Sequence, residues 1–171
     1  MRVMLCLPSG GYFAQRWSQG NMMPSLGLLY LAAVLEQNNV EVEVVPSHVL
    51  NLNWHDLARK IETDEPDIIG ITTTTENRFQ SFQLARVAKK ASPRTFVVLG
   101  GPHFNGTTYD AMSHIPEIDG VVSGEGENTL LELVKALEAK DSLRKVDGLT
   151  FREDGIIIEN SRRQHIPDIN E

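Results

Sequence analysis

Apolar positions along this chain come in short continuous runs, each followed by a longer segment of helical period. Val3–Leu7, Ile68–Ile71, Val97–Leu99 and Gly120–Val122 are such runs, and their shortness and unbroken character predict strands covered on both faces. Val40–Val45 differs, because Val40, Val42 and Val44 alternate with Glu41 and Glu43; that is the pattern of a half-exposed strand near a sheet edge. Between the strands, Pro24 opens a predicted helix whose stripe is Leu26, Leu29, Tyr30, Ala33 and Val34, closed by Asn38-Asn39. Asn53-Trp54-His55-Asp56 starts a second helix that carries Leu57 and Ile61 inward, and Pro66-Asp67 ends it. Glu76–Ala91 reads as a third, with Phe79, Phe82, Leu84 and Val87 as core positions. Phe104–His114 reads as a short or irregular fourth. Glu127–Lys140 is a fifth, with Leu130, Leu131, Val134 and Leu137 on one face.

Strand and helix repeated five times predict an α/β fold: a doubly wound, Rossmann-like or flavodoxin-like, five-stranded parallel sheet. Parallel neighbours require a crossover, and helices supply it. After Asp141 the pattern changes. Gly148–Arg152 and Ile156–Ile158 flank Asp154-Gly155 and read as a C-terminal β-hairpin. Ser161–Glu171 is polar, contains Pro167 and reads as a linker. The expected division is therefore 1–147 for the α/β domain and 148–171 for hairpin and linker.

The chemistry sits where the strands stop. Ile71 gives way to Thr72-Thr73-Thr74-Thr75, Leu99 to Gly100-Gly101-Pro102-His103, and Val122 to Ser123-Gly124-Glu125-Gly126. Each has a plain reading: a glycine turn, or hydroxyls bonded to local backbone. Three strands that all end in glycines and hydroxyls point instead to a ligand lying across the carboxyl edge of an open sheet. Pro8–Met23 is a long loop with no helical period; it holds Ser9, Gly10, Gly11 and Tyr12, and Trp17, Met22 and Met23 could pack or cover a large planar ligand. Gly124–Thr129 only superficially matches a dinucleotide fingerprint, since Thr129 replaces the third glycine and the motif follows the last strand; a nicotinamide cofactor is not indicated.

Composition narrows the classes further. The chain has 171 residues, enough for one domain, and a net charge of −7 with no dense Lys/Arg cluster, which argues against a nucleic-acid-binding face. No run approaches the ~20 apolar residues of a membrane span, and the amino terminus lacks a signal peptide's apolar core. A cytoplasmic protein is expected. Cys6 is the single cysteine and lies within the first strand, so it reads as a buried, inert thiol. The five histidines show no metal-ligand spacing, and no general acid–base pair or activated nucleophile is readable. No turnover by this chain alone is expected.

Four motifs together resemble one large enzyme class. Pro24-x-x-Gly27-Leu28-x-Tyr30-Leu31-Ala32-Ala33-x-Leu35, Asp67-Ile68-Ile69-Gly70-Ile71-Thr72, Val98-Leu99-Gly100-Gly101-Pro102-His103 and Val121-Val122-x-Gly124-Glu125-Gly126-Glu127 occur in the same order in the cobalamin-binding domain that precedes the radical S-adenosylmethionine core of cobalamin-dependent radical enzymes. Gly148-Leu149 and Ile166-Pro167-Asp168 resemble the run-in to that core. The resemblance implies a cobalamin site in which Thr72, Thr73 and Thr74 fall at the family's Ser-x-Leu position and Gly100-Gly101 at its Gly-Gly position, lining the slot for the nucleotide tail. It also implies that the Ser9–Tyr12 and Ser123–Gly126 loops meet the corrin amides, with Pro102 and His103 at the slot. The histidine-bearing first motif of the broader family is missing, because Ser9–Gly20 contains no histidine; the resemblance then implies base-off cobalamin without a protein lower ligand. A bulky residue at Gly101 is expected to block the slot and leave the fold intact.

The 4Fe-4S cluster needs several thiolates, so the cluster and S-adenosylmethionine are expected only in a C-terminal radical domain of the same polypeptide, of methyltransferase or cyclase type. A flavin-binding, flavodoxin-like module and a fold-only interaction domain are the competing readings. A phosphorylated receiver is not indicated, since Thr72 stands where its aspartate would be.

Overall fold

The computed structural model describes residues 1–8, 25–47 and 49–164. Its elements are β1 (Arg2–Leu7), α1 (Leu26–Gln37), β2 (Glu41–Pro46), α2 (Trp54–Asp64), β3 (Ile68–Thr72), α3 (Arg78–Ala91), β4 (Phe96–Gly100), α4 (Thr108–His114), β5 (Gly120–Val122), α5 (Glu127–Ala139), β6 (Leu149–Glu153) and β7 (Ile156–Glu159). Single 3-10 turns, Pro102–Phe104 and Leu143–Lys145, follow β4 and α5.

The sheet order is β2-β1-β3-β4-β5-β6-β7. The first five strands are parallel, in the flavodoxin-like order 2-1-3-4-5. The expected hairpin forms, and it extends the same sheet: β6 pairs antiparallel with β5, and β7 with β6. Asp154 and Gly155 both have positive φ (50° and 79°), the two-residue geometry whose twist matches the strands. The alternating segment is the edge strand β2, as its pattern required.

Helices cover both faces, which explains the continuous apolar runs of β1, β3, β4 and β5. On one face, α2, α3 and α4 pack over Met4, Cys6, Ile69, Ile71, Val97 and Leu99. On the other, α1 and α5 pack over Val3, Leu5, Ile68, Val98 and Val122, and Leu149 and Phe151 of β6 join them. The start of α2 is fixed by Asn53, whose side chain accepts from the N–H groups of His55 (2.8 Å) and Asp56 (3.1 Å) while its own N–H donates to Asp56 (3.2 Å).

Three helices bury residues other than those the sequence-based expectation named. In α1 the buried residues are Leu28, Ala32 and Leu35, whereas Leu26, Leu29, Tyr30 and Ala33 are exposed. That helix is apolar almost all round, so period alone does not set its phase. In α3, Ser81, Leu84, Ala85 and Ala88 face the sheet, and Phe79 is 65% exposed, with the Arg78 guanidinium 4.2 Å from its ring centroid. In α5, Thr129 and Leu133 are buried with Leu130 and Val134, while Leu131 and Leu137 are half-buried.

Candidate functional site

A cleft of about 270 Å³ opens at the carboxyl edge between α1 and α5. Its floor is made by Leu5 of β1, Gly70 and Thr72 of β3, Val98 and Gly100 of β4, and Val122 of β5. These residues share one strand parity, so all stand on the α1–α5 face. Gly27, Leu28 and Leu31 form one wall; Gly126, Glu127 and Leu130 form the other; Gly101, Pro102, Gly124 and Glu125 lie at the mouth. Small floor residues give the cleft its depth. A Cβ at Gly70 would lie 2.7 Å from Leu5 Cδ2, so Leu5 occupies the space a side chain would need.

Seven of the expected site residues line this cleft: Thr72, Gly100, Gly101, Pro102, Gly124, Glu125 and Gly126. The others lie elsewhere. Thr73 has the opposite parity and is fully buried; its Oγ1 has no hydrogen-bond partner among the described residues. Thr74 is exposed, and its N–H donates to Asn77 Oδ1 at the start of α3 (2.7 Å). His103 turns to the other face of the sheet, with its ring centroid 5.2 Å from that of Phe104 and 6.2 Å from that of Phe82, and its Nδ1 3.3 Å from Thr75 Oγ1. Burial, and then the charge of Arg78, push the His103 pKa below its ordinary value. Ser123 lines a neighbouring polar cleft of about 590 Å³ together with Thr108, Thr150 and Arg162. Ser9, Gly10, Gly11 and Tyr12, with Trp17, Met22, Met23 and Ile166–Asp168, lie outside the described residues.

Gly101 has a structural duty that its sequence context does not reveal. Its φ is +111°, and a Cβ there would stand 2.6 Å from Thr73 O and 3.1 Å from Thr73 N. The segments leaving the paired strands β3 and β4 run close together at this point: the Thr73 N–H donates to Gly100 O (2.7 Å) and Thr73 O accepts from the His103 N–H (3.3 Å). A bulky residue at Gly101 therefore strains the backbone itself, contrary to the expectation that it would spare the fold. Gly27, Leu31, Glu127 and Leu130 were not among the expected site residues, and their signal was weak. The phase of α1 hid its cleft-facing stripe, and Glu127 stood only as the last residue of the Val121–Glu127 motif and the start of a helix.

The cleft walls are mostly aliphatic. Thr72, Glu125 and Glu127 are the polar side chains among its lining residues, and none of those residues is Lys or Arg. Such a cavity suits a flat, uncharged heterocycle, with polar attachments reaching the mouth. His, Cys, Asp and Glu do not gather in threes in metal-holding positions among the described residues. Cys6 is fully buried beneath the sheet's α2–α3 layer, and burial pushes its thiol up to about 12.

An open, flavodoxin-like sheet with a glycine-floored cleft across its carboxyl edge defines a nucleotide- or cofactor-binding α/β module. The B12 binding domain family model matches residues 18–134, and the chain belongs to that family, whose cofactor is cobalamin. Over its full length it is 36% identical to an uncharacterised methyltransferase, PH0819, of Pyrococcus horikoshii, and spans 37% of that protein. It is 28% identical to the anaerobic magnesium-protoporphyrin IX monomethyl ester cyclase of Cereibacter sphaeroides over 99% of this chain and 28% of the cyclase. In fold it is similar to the radical S-adenosylmethionine methyltransferase TsrM of Kitasatospora setae, solved with cobalamin and a 4Fe-4S cluster (TM-score 0.78, 18% identity, 94% of this chain and 30% of TsrM). It is equally similar to the radical enzyme OxsB, solved with aqua-cobalamin and S-adenosylmethionine (TM-score 0.78, 18% identity, 96% of this chain and 22% of OxsB). No helix among the described residues is long and apolar enough to cross a membrane.

Proposed function

We propose that this chain is the cobalamin-binding module of a larger radical S-adenosylmethionine enzyme of methyltransferase or cyclase type. In this reading it holds cobalamin base-off, with the benzimidazole tail in the cleft between α1 and α5. The observation that carries it is the cleft itself: aliphatic walls, a floor that includes Gly70 and Gly100, and no Lys or Arg among its described lining residues. A flavin phosphate would call for charged donors in the same place, where the cleft instead carries Glu125 and Glu127. The Ser9–Tyr12 loop and the Ser123–Gly126 loop are the proposed contacts to the corrin periphery.

The rest of the enzyme has a place to dock. Leu26, Tyr30, Leu50, Phe79 and Tyr109 are exposed large apolar side chains, and each follows the carboxyl end of a parallel strand or sits in the first turns of the helix after it. Exposed apolar groups gathered along one edge of a sheet mark an interaction surface. We assign that surface to a C-terminal radical S-adenosylmethionine domain of the same polypeptide, with residues 148–171 as the run-in to it. Cys6 is too deeply buried to serve as a cluster ligand, so the 4Fe-4S cluster and S-adenosylmethionine belong to that domain. The lengths of the relatives support this reading, since the chain spans 22% to 37% of those described above.

The test is retention of colour. The purified chain, incubated with hydroxocobalamin or with flavin mononucleotide and passed through a desalting column, should keep the cobalamin spectrum and lose the flavin. Gly27→Leu should lose cobalamin as well, because Gly27 lies on the cleft wall one turn from Leu31 and a Cβ there meets nothing within 4 Å. Flavin retention, or equal cobalamin retention by both proteins, would refute the proposal.

A further inference from the structure

Glu127 is the first residue of α5 and lines the cleft beside Gly126 and Leu130. Its Oε2 is buried and has no hydrogen-bond partner among the described residues. A carboxylate oxygen withdrawn from water without a donor is unfavourable, and an ionised carboxylate can only accept. A cleft occupant that brings an O–H or N–H within its reach would satisfy it.

Resting on the cobalamin reading, the chemistry of the tail narrows the choice. The dimethylbenzimidazole of the tail carries one alkylated nitrogen and one imine nitrogen, so it offers a single acceptor and no donor. The phosphodiester is an anion and would be repelled by Glu127. The ribose hydroxyl groups are donors, and they are joined directly to the heterocycle that the aliphatic walls accommodate. We propose that Glu127 accepts a hydrogen bond from a ribose hydroxyl of the nucleotide tail, and so favours complete cobalamin over corrinoids that lack the tail. Thr72, the hydroxyl on the cleft floor, can donate to the imine nitrogen, which leaves the base and its sugar read by separate residues.

The decisive comparison is the affinity of the whole chain for hydroxocobalamin and for dicyanocobinamide, which keeps the corrin amides and lacks the nucleotide. Wild type should bind cobalamin more tightly than cobinamide. Glu127→Leu should weaken cobalamin about tenfold or more, the size expected for a charge-assisted hydrogen bond, and leave cobinamide binding unchanged. Glu127→Gln keeps an acceptor oxygen and should fall between wild type and Leu; a Gln variant as weak as Leu overturns the hydrogen-bond assignment. Equal losses for both corrinoids would place Glu127 on a corrin amide and overturn the proposal, as would unchanged cobalamin affinity in Glu127→Leu with a wild-type unfolding midpoint. Wild type that binds neither corrinoid would overturn the cobalamin reading and this assignment with it, a result distinct from any effect of Glu127.

Discussion

Gly100 and Gly101 are neighbours with opposite tolerances, and replacing each with alanine separates a cleft glycine from a structural one. At Gly100 an added Cβ would meet Val122 O at 3.6 Å and Val122 Cβ at 3.7 Å, ordinary contacts on a backbone that any residue adopts. Gly100→Ala should leave stability within about 0.5 kcal/mol of wild type, with a slight gain from the stiffer unfolded chain. At Gly101 the Cβ would overlap backbone atoms of Thr73 at a φ of +111°. Those atoms are held on both sides by hydrogen bonds to Gly100 and His103, so they cannot swing away as a side chain would. Adding ~1–3 kcal/mol of backbone strain to ~1–3 kcal/mol of overpacking gives a loss of about 2–6 kcal/mol for Gly101→Ala. For a chain of this length that corresponds to a Tm roughly 5–20 °C lower. Urea unfolding of the three proteins, followed by far-ultraviolet circular dichroism, measures the difference. Gly101→Ala within about 0.5 kcal/mol of wild type would refute the account of this close backbone approach.

Cys6 should react with a thiol reagent at pH 8 only as fast as the protein opens, because burial pushes its thiol up to about 12; rapid labelling of the native protein would contradict this. The same shift has a defined sign. The unfolded thiol ionises near 9.0 while the native one stays protonated, so Cys6 should lower stability by about 1.4 kcal/mol per pH unit as pH rises from about 9 toward 12, and Cys6→Ala should remove that component of the slope. Asp119 joins three elements: its Oδ2 accepts from the Val97 N–H (2.7 Å) and from Lys89 Nζ (2.5 Å), and Lys89 also donates to Thr95 O (2.8 Å). Asp119→Ala should cost about 1–3 kcal/mol in urea unfolding, mostly from the orphaned Val97 N–H, since Lys89 is partly solvated; a change under about 0.5 kcal/mol would show that the link is idle.

The strands were legible in the sequence because both faces of an inner strand are covered, and that leaves an unmistakable mark in Val3–Cys6, Ile68–Ile71 and Val97–Leu99. The hairpin was legible from Asp154-Gly155, though nothing in its residues said that β6 would continue the main sheet along β5. Helix phase was the weak point. In α1, Leu26, Leu29 and Tyr30 have the same spacing as a buried stripe, and only packing against β1 and α5 shows that Leu28, Ala32 and Leu35 are inside. The site was legible as a set of strand ends, and strand parity then divided it. Thr72 and Gly100 share the face of Gly70 and Val98 and reach the cleft, whereas Thr73 and His103 turn away from it. That period of two was already present in the sequence. The left-handed conformation of Gly101 and the unpartnered oxygen of Glu127 were not, because both arise from chain segments that meet only in the folded sheet.

The central claim is that the cleft holds the cobalamin tail, and a benzimidazole lying there cannot also ligate cobalt. The electron paramagnetic resonance spectrum of the reduced Co(II) form, bound to protein uniformly labelled with the heavy nitrogen isotope, tests this most directly. The His103 ring packs against Phe82 and Phe104 on the opposite face of the sheet, so it is not expected to supply a lower ligand. The expected spectrum is base-off, with cobalt hyperfine lines that carry no nitrogen splitting. Triplet splitting in the labelled protein could come only from a benzimidazole still coordinated to the metal, and it would contradict the account.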